Sequence, residues 1–328
     1  MNVAQTTDRT VVKTKSGTRH FTKSADTFTN NKYSISLQES EKRFTFEHMS
    51  ARIAAITMVR GGEPFLAKWI RWYGSLLGPG HLYIFFDGED QVPPPCTAHC
   101  NVRVVPRVEG NVARGDRGRA GLLSSFAATL LRSYDFVIGT DIDEFLCPDP
   151  STGLDLVQYL SALDRKGSKS FSALGCDVVQ RMPEEGPMDW SKPMLGQRSH
   201  ALLSTRYTKA SILCAPLKWG SGFHRVKGHN FHIAKDLYLF HFGCSDAALQ
   251  NVRLSDSDLA SRGWSRHLGK RQRLFGLVAG MQPRSWESGT ALARRLQSAI
   301  RPPWAWNKPS MLGLRMLVSI PERFFGLF

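Results

Sequence analysis

The chain has 328 residues, 42% of them hydrophobic, and 43 Lys+Arg against 28 Asp+Glu leave a net charge of +15. That length makes one large domain or two small ones and buries a full core without disulfide or metal staples. No apolar run reaches about 18 residues, which excludes a membrane-spanning helix, and the charge points to nucleic acid, a phosphorylated substrate or an anionic membrane.

Residues 1–50 carry 8 basic and 5 acidic side chains and show little hydrophobic periodicity before Phe44. Their Thr, Ser, Lys and Asn content predicts a disordered polar tail over 1–48. The first thirty residues hold no apolar signal-peptide core, so a cytoplasmic protein with reduced thiols is expected.

An α/β domain is expected over 49–250. Residues 52–59 (RIAAITMV) are nearly all apolar, as suits a strand buried on both faces of a parallel sheet. The turn Arg60-Gly61-Gly62-Glu63-Pro64 places proline at a helix start. Phe65, Leu66, Trp69, Trp72, Tyr73 and Leu76 then recur at helical spacing until Gly78-Pro79-Gly80 stops the helix. A second strand spans 81–86 and delivers Asp87; a third spans 102–105. The run RGDRGR at 114–119 leads into a helix over 120–131. A fourth strand at 136–138 runs into Asp141-Ile142-Asp143-Glu144. A helix over 154–163 and a fifth strand over 170–179 follow. This alternation predicts right-handed βαβ units and a mostly parallel central sheet flanked by helices. Ligands of such sheets bind at the carboxyl ends of strands, so Asp87 and Asp141 are expected to face one crevice.

The stretch 134–146, YDFVIGTDIDEFL, is the sharpest feature. Alternate residues of a strand share a face, so Asp141 and Asp143 are expected to converge. Two hard oxygen ligands suit Mg²⁺ or Mn²⁺. Such an ion neutralises a diphosphate leaving group. A solvated acidic turn carries the same D-x-D string. Of the six cysteines, Cys147, Cys176, Cys214 and Cys244 sit singly in apolar runs and read as core. Cys96 and Cys100, around His99, lack further ligands at zinc spacing.

In this order the segments resemble the bacterial family 2-like glycosyltransferases of GT-A fold and their family 92 relatives. The resemblance rests on Met58-Val59-Arg60-Gly61-Gly62-Glu63, on residues 81–87, and on residues 140–145. It continues through Tyr207-Thr208-Lys209, residues 219–224 and residues 237–242. It covers about 52 to 246. It implies a GT-A, Rossmann-like half, a divalent metal (Mn²⁺ or Mg²⁺) and sugar transfer from a nucleotide-sugar donor, UDP-sugar first. It places Asp87 and Asp141 on the donor's nucleotide, Asp141 and Asp143 on the metal, and Arg60 in the donor-side turn. Two departures stand out. Gly62 replaces the family's Asn, and Gly88-Glu89-Asp90-Gln91 replaces a Ser-rich segment.

Further candidates surround this motif. Arg114, Arg117 and Arg119 flank a helix start and offer phosphate contacts, Arg117 foremost; the alternative is solubilising charge. His224, His229, His232 and His241 crowd one stretch, and the resemblance favours His224 and His241 as metal or diphosphate contacts. Lys209 is a candidate counter-charge to the donor. An inverting transfer needs a general base, and Asp177, Glu184, Glu185 and Asp189 follow the fifth strand, with Asp177 and Glu185 carried forward.

Residues 51–250 hold 22 basic and 19 acidic side chains, whereas residues 251–328 hold 13 and 4. A basic, mostly helical C-terminal extension is therefore expected over 251–328. It includes Arg262, Arg266, Lys270, Arg271 and Arg273. Residues 311–318 (MLGLRMLV) read as an amphipathic helix, lying on anionic lipid or packed on the domain. The sum is a metal-dependent glycosyltransferase acting on a polysaccharide or lipid-linked acceptor, peripheral to the membrane. A metal-dependent nucleotidyl- or phosphotransferase is the nearest rival. Nucleic-acid binding fits worse, because the middle is nearly charge-balanced and no RRM, KH or helix-turn-helix signature appears.

Overall fold

The computed structural model describes residues 50–108, 112–261 and 263–328. The tail expected over 1–48 and Arg262 lie outside them. Strand β1 (Ile53–Val59) is buried along its whole length. It lies between β2 (Leu82–Asp87) and β4 (Phe136–Gly139), parallel to both. Its alternate side chains serve two different cores. Ile53, Ala55 and Val59 pack with Phe65, Leu66, Trp69 and Tyr73 of helix α1 (Phe65–Leu77). Ala54, Ile56 and Met58 pack with Leu123, Ala127 and Leu130 of helix α2 (Val112–Leu130). A strand sandwiched between two helices has no solvent face, hence the unbroken apolar run.

The sheet extends in both directions from β1. Strand β3 (Asn101–Val105) joins β2 in parallel, so β3-β2-β1-β4 is a Rossmann-like parallel half. Beyond β4 come β8 (Ile212–Leu213), β6 (Ser170–Val179), β7 (His200–Leu203) and β10 (Met316–Ser319), paired antiparallel. Strand β9 (Ile233–Cys244) runs parallel to β6 and antiparallel to β5 (Glu144–Pro148). The fold is α/β, with helices on both faces of the central strands.

Two expected elements shift. The helix expected from 120 already covers residues 112–130, so RGDRGR lies inside it. The helix expected over 154–163 shortens to α3 (Leu156–Ser161), where Asp155 and Gln158 close a capping box.

The last quarter of the chain is part of the same compact unit, which runs from Ser50 to Phe328. Helices α4 (Ala247–Leu254), α5 (Ser257–Ser261), α6 (Ser265–Ala279) and α7 (Trp286–Ala299) follow β9. The amphipathic helix expected over 311–318 is absent. Leu312 and Gly313 both take positive φ, and the chain then enters β10, whose Met316 pairs with Leu203. Pairing with the sheet edge satisfies backbone groups that a short isolated helix leaves open. The Phe328 ring packs against Trp72, Phe145, Phe240 and Phe242 at centroid distances of 4.6–5.8 Å. No helix among the described residues is long and apolar enough to cross a membrane.

Arg323 ties this region to β5. Its Nε donates to Asp149 Oδ1 at 2.7 Å and its Nη2 to Asp149 Oδ2 at 3.0 Å. Burial would raise the Asp149 carboxyl, but Arg323 and the Ser151 amide hold it below the usual range. A depressed carboxylate contributes stability fully above its unfolded value, about pH 4, and loses it as pH falls through the folded value. Arg323→Gln should therefore cost about 2 kcal/mol near neutral pH. In urea denaturation the gap to wild type should close as the pH falls below the usual carboxylate range, through the depressed folded value.

Candidate functional site

Strand β4 ends at Gly139, and residues 140–143 form a turn before β5 begins at Glu144. The Glu144 amide donates back to Asp141 O at 3.1 Å. Strand alternation does not apply inside a turn, so Asp141 and Asp143 diverge instead of converging. Two residues of α1 brace it: Trp69 Nε1 donates to Thr140 Oγ1 at 2.9 Å, and Tyr73 Oη accepts from the Leu146 amide at 2.9 Å.

Asp141 faces cations. Arg119 from α2 pairs with its Oδ1, and Lys209 Nζ donates to its Oδ2 at 2.8 Å. Lys209 is buried and also pairs with the fully buried Glu144. The lysine reaches this spot because β6 carries Gly175. A Cβ there would lie 2.3 Å from the Tyr207 carbonyl carbon and 2.4 Å from the Thr208 amide nitrogen. The Gly175 amide instead donates to Thr208 Oγ1 at 2.9 Å. This close approach holds the 207–209 segment against the sheet.

Asp143 turns the other way, toward His241. Its Oδ2 lies 3.5 Å from His241 Nε2, and the Asp177 Oδ1 accepts from His241 Nδ1 at 2.7 Å. The register explains this row. Glu144 of β5 and Asp177 of β6 both stand opposite His241 of β9. Tyr207 stacks on the imidazole, with ring centroids 3.7 Å apart and planes 15° apart.

Burial would raise every carboxyl here, and the neighbours decide the outcome. Arg119 and Lys209 hold Asp141 well below the usual range, and His241 does the same for Asp143. Glu144 must share Lys209 with Asp141, and burial pushes its carboxyl up to about 7. Burial would lower Lys209, but Asp141 and Glu144 more than offset it, so the amine stays charged. His241 rises for the same reason, between Asp143 and Asp177.

Asp143, Glu144 and His241 each offer a ligand atom, and these atoms all lie within 4.8 Å of one another. This acidic cluster can hold a divalent cation. Two observations fit that use. A Cβ on Gly243 would lie 2.6 Å from His241 Nε2 and 2.9 Å from Asp143 Oδ2, so the glycine keeps the ligand atoms uncovered. Asp177 accepts from His241 Nδ1, so an ion at this group would meet Nε2 and take the place of the proton that Nε2 carries toward Asp143.

Asp143, alone of these three, also lines a cleft of about 790 Å³ at the carboxyl ends of β1, β2 and β4. Arg60, Asp87, Asp141 and Asp143 line it, as the strand-end rule predicts. The opposite wall comes from α4 to α6, including Arg253, Trp264, Leu268 and Arg271. Arg60, Arg107 and Arg119 in this cleft are already paired with Asp90, Asp258 and Asp141. Arg253 and Arg271 make no ion pair among the described residues. Arg253 rests over the Phe65 ring at 5.6 Å. Burial lowers its pKa; Arg271 is raised, because Tyr207, Cys244, Asp143 and Asp177 outweigh its burial.

The remaining expected residues fall as follows. Asp87 Oδ1 accepts from the Val108 amide at 2.6 Å, and its carbonyl accepts from Arg60 Nη1 at 2.8 Å. Gly62 stands where a Cβ would lie 2.9 Å from Leu66 Cβ, so no asparagine fits. Arg117 is exposed outside the cleft lining, one helical step from Arg119, which does face it. His224 lies outside the Asp143-Glu144-His241 group, and burial with Lys209 and Lys308 pushes its pKa down to about 3. Asp177 is buried against His241, which removes it from any acceptor. Glu185 is tied to the Arg181 and Ser199 amides, each at 2.9 Å, away from the cleft. His229 and His232 line a separate cavity of about 360 Å³ without carboxylates. Sequence reasoning passed over Glu144 as a ligand and Arg253 and Arg271 as cleft residues; for Glu144 the available clue was its place at the start of β5.

No family model matches the chain, and no curated protein matches it. Among solved structures it is similar to mannose-1-phosphate geranyltransferase from Thermus thermophilus, with 11% identity and a TM-score of 0.25 over 82% of this chain and 74% of that one. So low a score decides nothing about activity.

Residues that orient a metal-binding histidine typically matter about 10–100-fold for affinity. Asp177→Asn should therefore weaken Mn²⁺ binding by that factor in calorimetry, with an unchanged circular dichroism spectrum. Unchanged affinity would remove His241 from the ligand set.

Proposed function

We propose that the protein is a metal-dependent glycosyltransferase that moves a sugar from a nucleotide-sugar donor to an acceptor hydroxyl. The acceptor is a polysaccharide or a lipid-linked glycan. The observation that carries this reading is the Asp143-Glu144-His241 group, whose Asp143 lines a cleft at the strand ends. Its oxygen-rich set with one imidazole suits Mn²⁺ better than Mg²⁺, which favours all-oxygen coordination. When bound, the ion supplies positive charge against a diphosphate leaving group.

The chain's own residues support the same chemistry. Asp87, at the end of β2, is placed to accept from a ribose or base. Arg253 and Arg271 present guanidinium groups that pair with no carboxylate among the described residues, and such groups match phosphate oxygens. Asp141 acts as the anchor of Arg119 and Lys209, and so keeps the floor of the cleft in place. Asp177 positions His241 and is not a base. Nucleotidyl transfer uses the same carboxylates and arginines, and product analysis separates it: sugar on the acceptor, or nucleotide on a sugar phosphate.

A thermal-shift screen of UDP-, GDP-, CMP- and dTDP-sugars with Mn²⁺ should show one donor class raising Tm, since a ligand of the native state stabilises it. Asp143→Asn should abolish the Mn²⁺-dependent part of that shift. If the variant responds like wild type, the metal reading fails. Arg271→Gln should weaken donor binding about tenfold, the scale of one lost charge-assisted contact.

A further inference from the structure

We propose that the loop over residues 300–310, with the turn after it, docks the protein on an anionic lipid surface. The loop is closed at its neck by the Ser310 amide, which donates to Ile300 O at 3.1 Å. Inside it, burial alternates. Ala305, Asn307 and Pro309 are buried, and Asn307 Nδ2 donates to Val226 O at 2.7 Å. Trp304 and Trp306 point the other way and are 82% and 58% exposed. In the following turn Leu312 and Leu314 are 76% and 57% exposed. The backbone is thus anchored while four large apolar side chains face solvent. An isolated exposed leucine needs no explanation, but two tryptophans and two leucines within eleven residues form a patch.

Charge identifies the occupant. Residues 288–321 contain five basic side chains, Arg294, Arg295, Arg301, Lys308 and Arg315, and no acidic one. The neighbouring segment 214–235, which holds Val226, contains Lys218, Arg225, Lys227 and Lys235 and again no acidic residue. Tryptophan prefers the headgroup level of a bilayer, where its ring is apolar and its N–H stays wet. Basic residues beside it are drawn to anionic headgroups. Exposed tryptophans and leucines on segments that carry basic side chains and no acidic ones fit that surface better than a neutral protein face. The site differs from the amphipathic helix expected at 311–318, which is β10 in part. It is also independent of the transfer chemistry, because none of these residues lines the cleft.

The test is co-sedimentation of the full chain with phosphatidylcholine vesicles, with and without about one-third phosphatidylglycerol. Wild type should bind the anionic vesicles, and binding should weaken as salt is raised. The double variant Trp304→Ser/Trp306→Ser should lose at least about tenfold in partition coefficient, with unchanged Tm because both side chains are exposed. Arg315→Glu should weaken binding and flatten its salt dependence. Equal sedimentation with and without phosphatidylglycerol overturns the proposal, and so does wild-type binding by the double variant. A dimer in light scattering that the double variant dissolves, without vesicle binding, overturns it in favour of contact between copies.

Discussion

The rest of this structure depends on holding several carboxylates together, Glu144 and Asp177 buried and Asp141 and Asp143 half-buried at the cleft. Asp141, Asp143, Glu144 and Asp177 sit at the junction of the parallel half of the sheet and strands β5, β6 and β9. Burying one such charge unpaired is prohibitive, and losing one partner of a buried pair costs about 3–5 kcal/mol. Lys209, Arg119 and His241 supply the compensating charge. Each comes from a different element, so the site assembles only when helix, loop and strand are all in place. Gly175 and Gly243 are part of the same solution, since one admits the lysine segment and the other leaves the ligand atoms uncovered.

The cleft sorts its arginines into two groups. Those from the parallel half and α2 are neutralised by local aspartates and act as braces. Those from α4 and α6 make no ion pair among the described residues and line the cleft with Asp143. This division changes the meaning of the C-terminal charge. Residues 251–328 hold 13 basic and 4 acidic side chains, yet they do not behave as one uniform tail. Arg253 and Arg271 line the cleft. Arg294 donates to the carbonyl of Ala234, Arg301 stacks on Phe231 at 4.2 Å, and Arg323 clasps Asp149. Part of the excess is therefore spent inside the fold or at the cleft.

Much of the architecture was legible in the residues. The apolar run at 52–59 marks the central strand, and Gly78-Pro79-Gly80 marks the end of α1. Asp87 and Asp141 fall at strand ends, so their shared crevice follows from the rule for parallel sheets. The site itself was only half legible. Asp143 and His241 lie together with Glu144 in a group that could hold a metal ion, whereas Asp141 faces Arg119 and Lys209, and His224 and Glu185 lie apart from that group. For Asp141 the reason is that strand alternation ends at Gly139, and in the turn beyond it side-chain direction follows the backbone's local path.

By itself the sequence determined the local features. They are the period of each apolar run, the placement of turns, the acidic string after β4, and the concentration of basic residues toward the end. Each depends on neighbours a few positions apart, whose geometry the backbone constrains directly. Only the tertiary structure decided which charges meet. Glu144, Asp177 and His241 form a row because three strands share a register. Lys209 arrives because a glycine lets two backbones touch, and Arg271 arrives because a helix folds back over the sheet. Such pairings minimise the cost of buried charge across distant segments, and no local pattern in the chain encodes that sum.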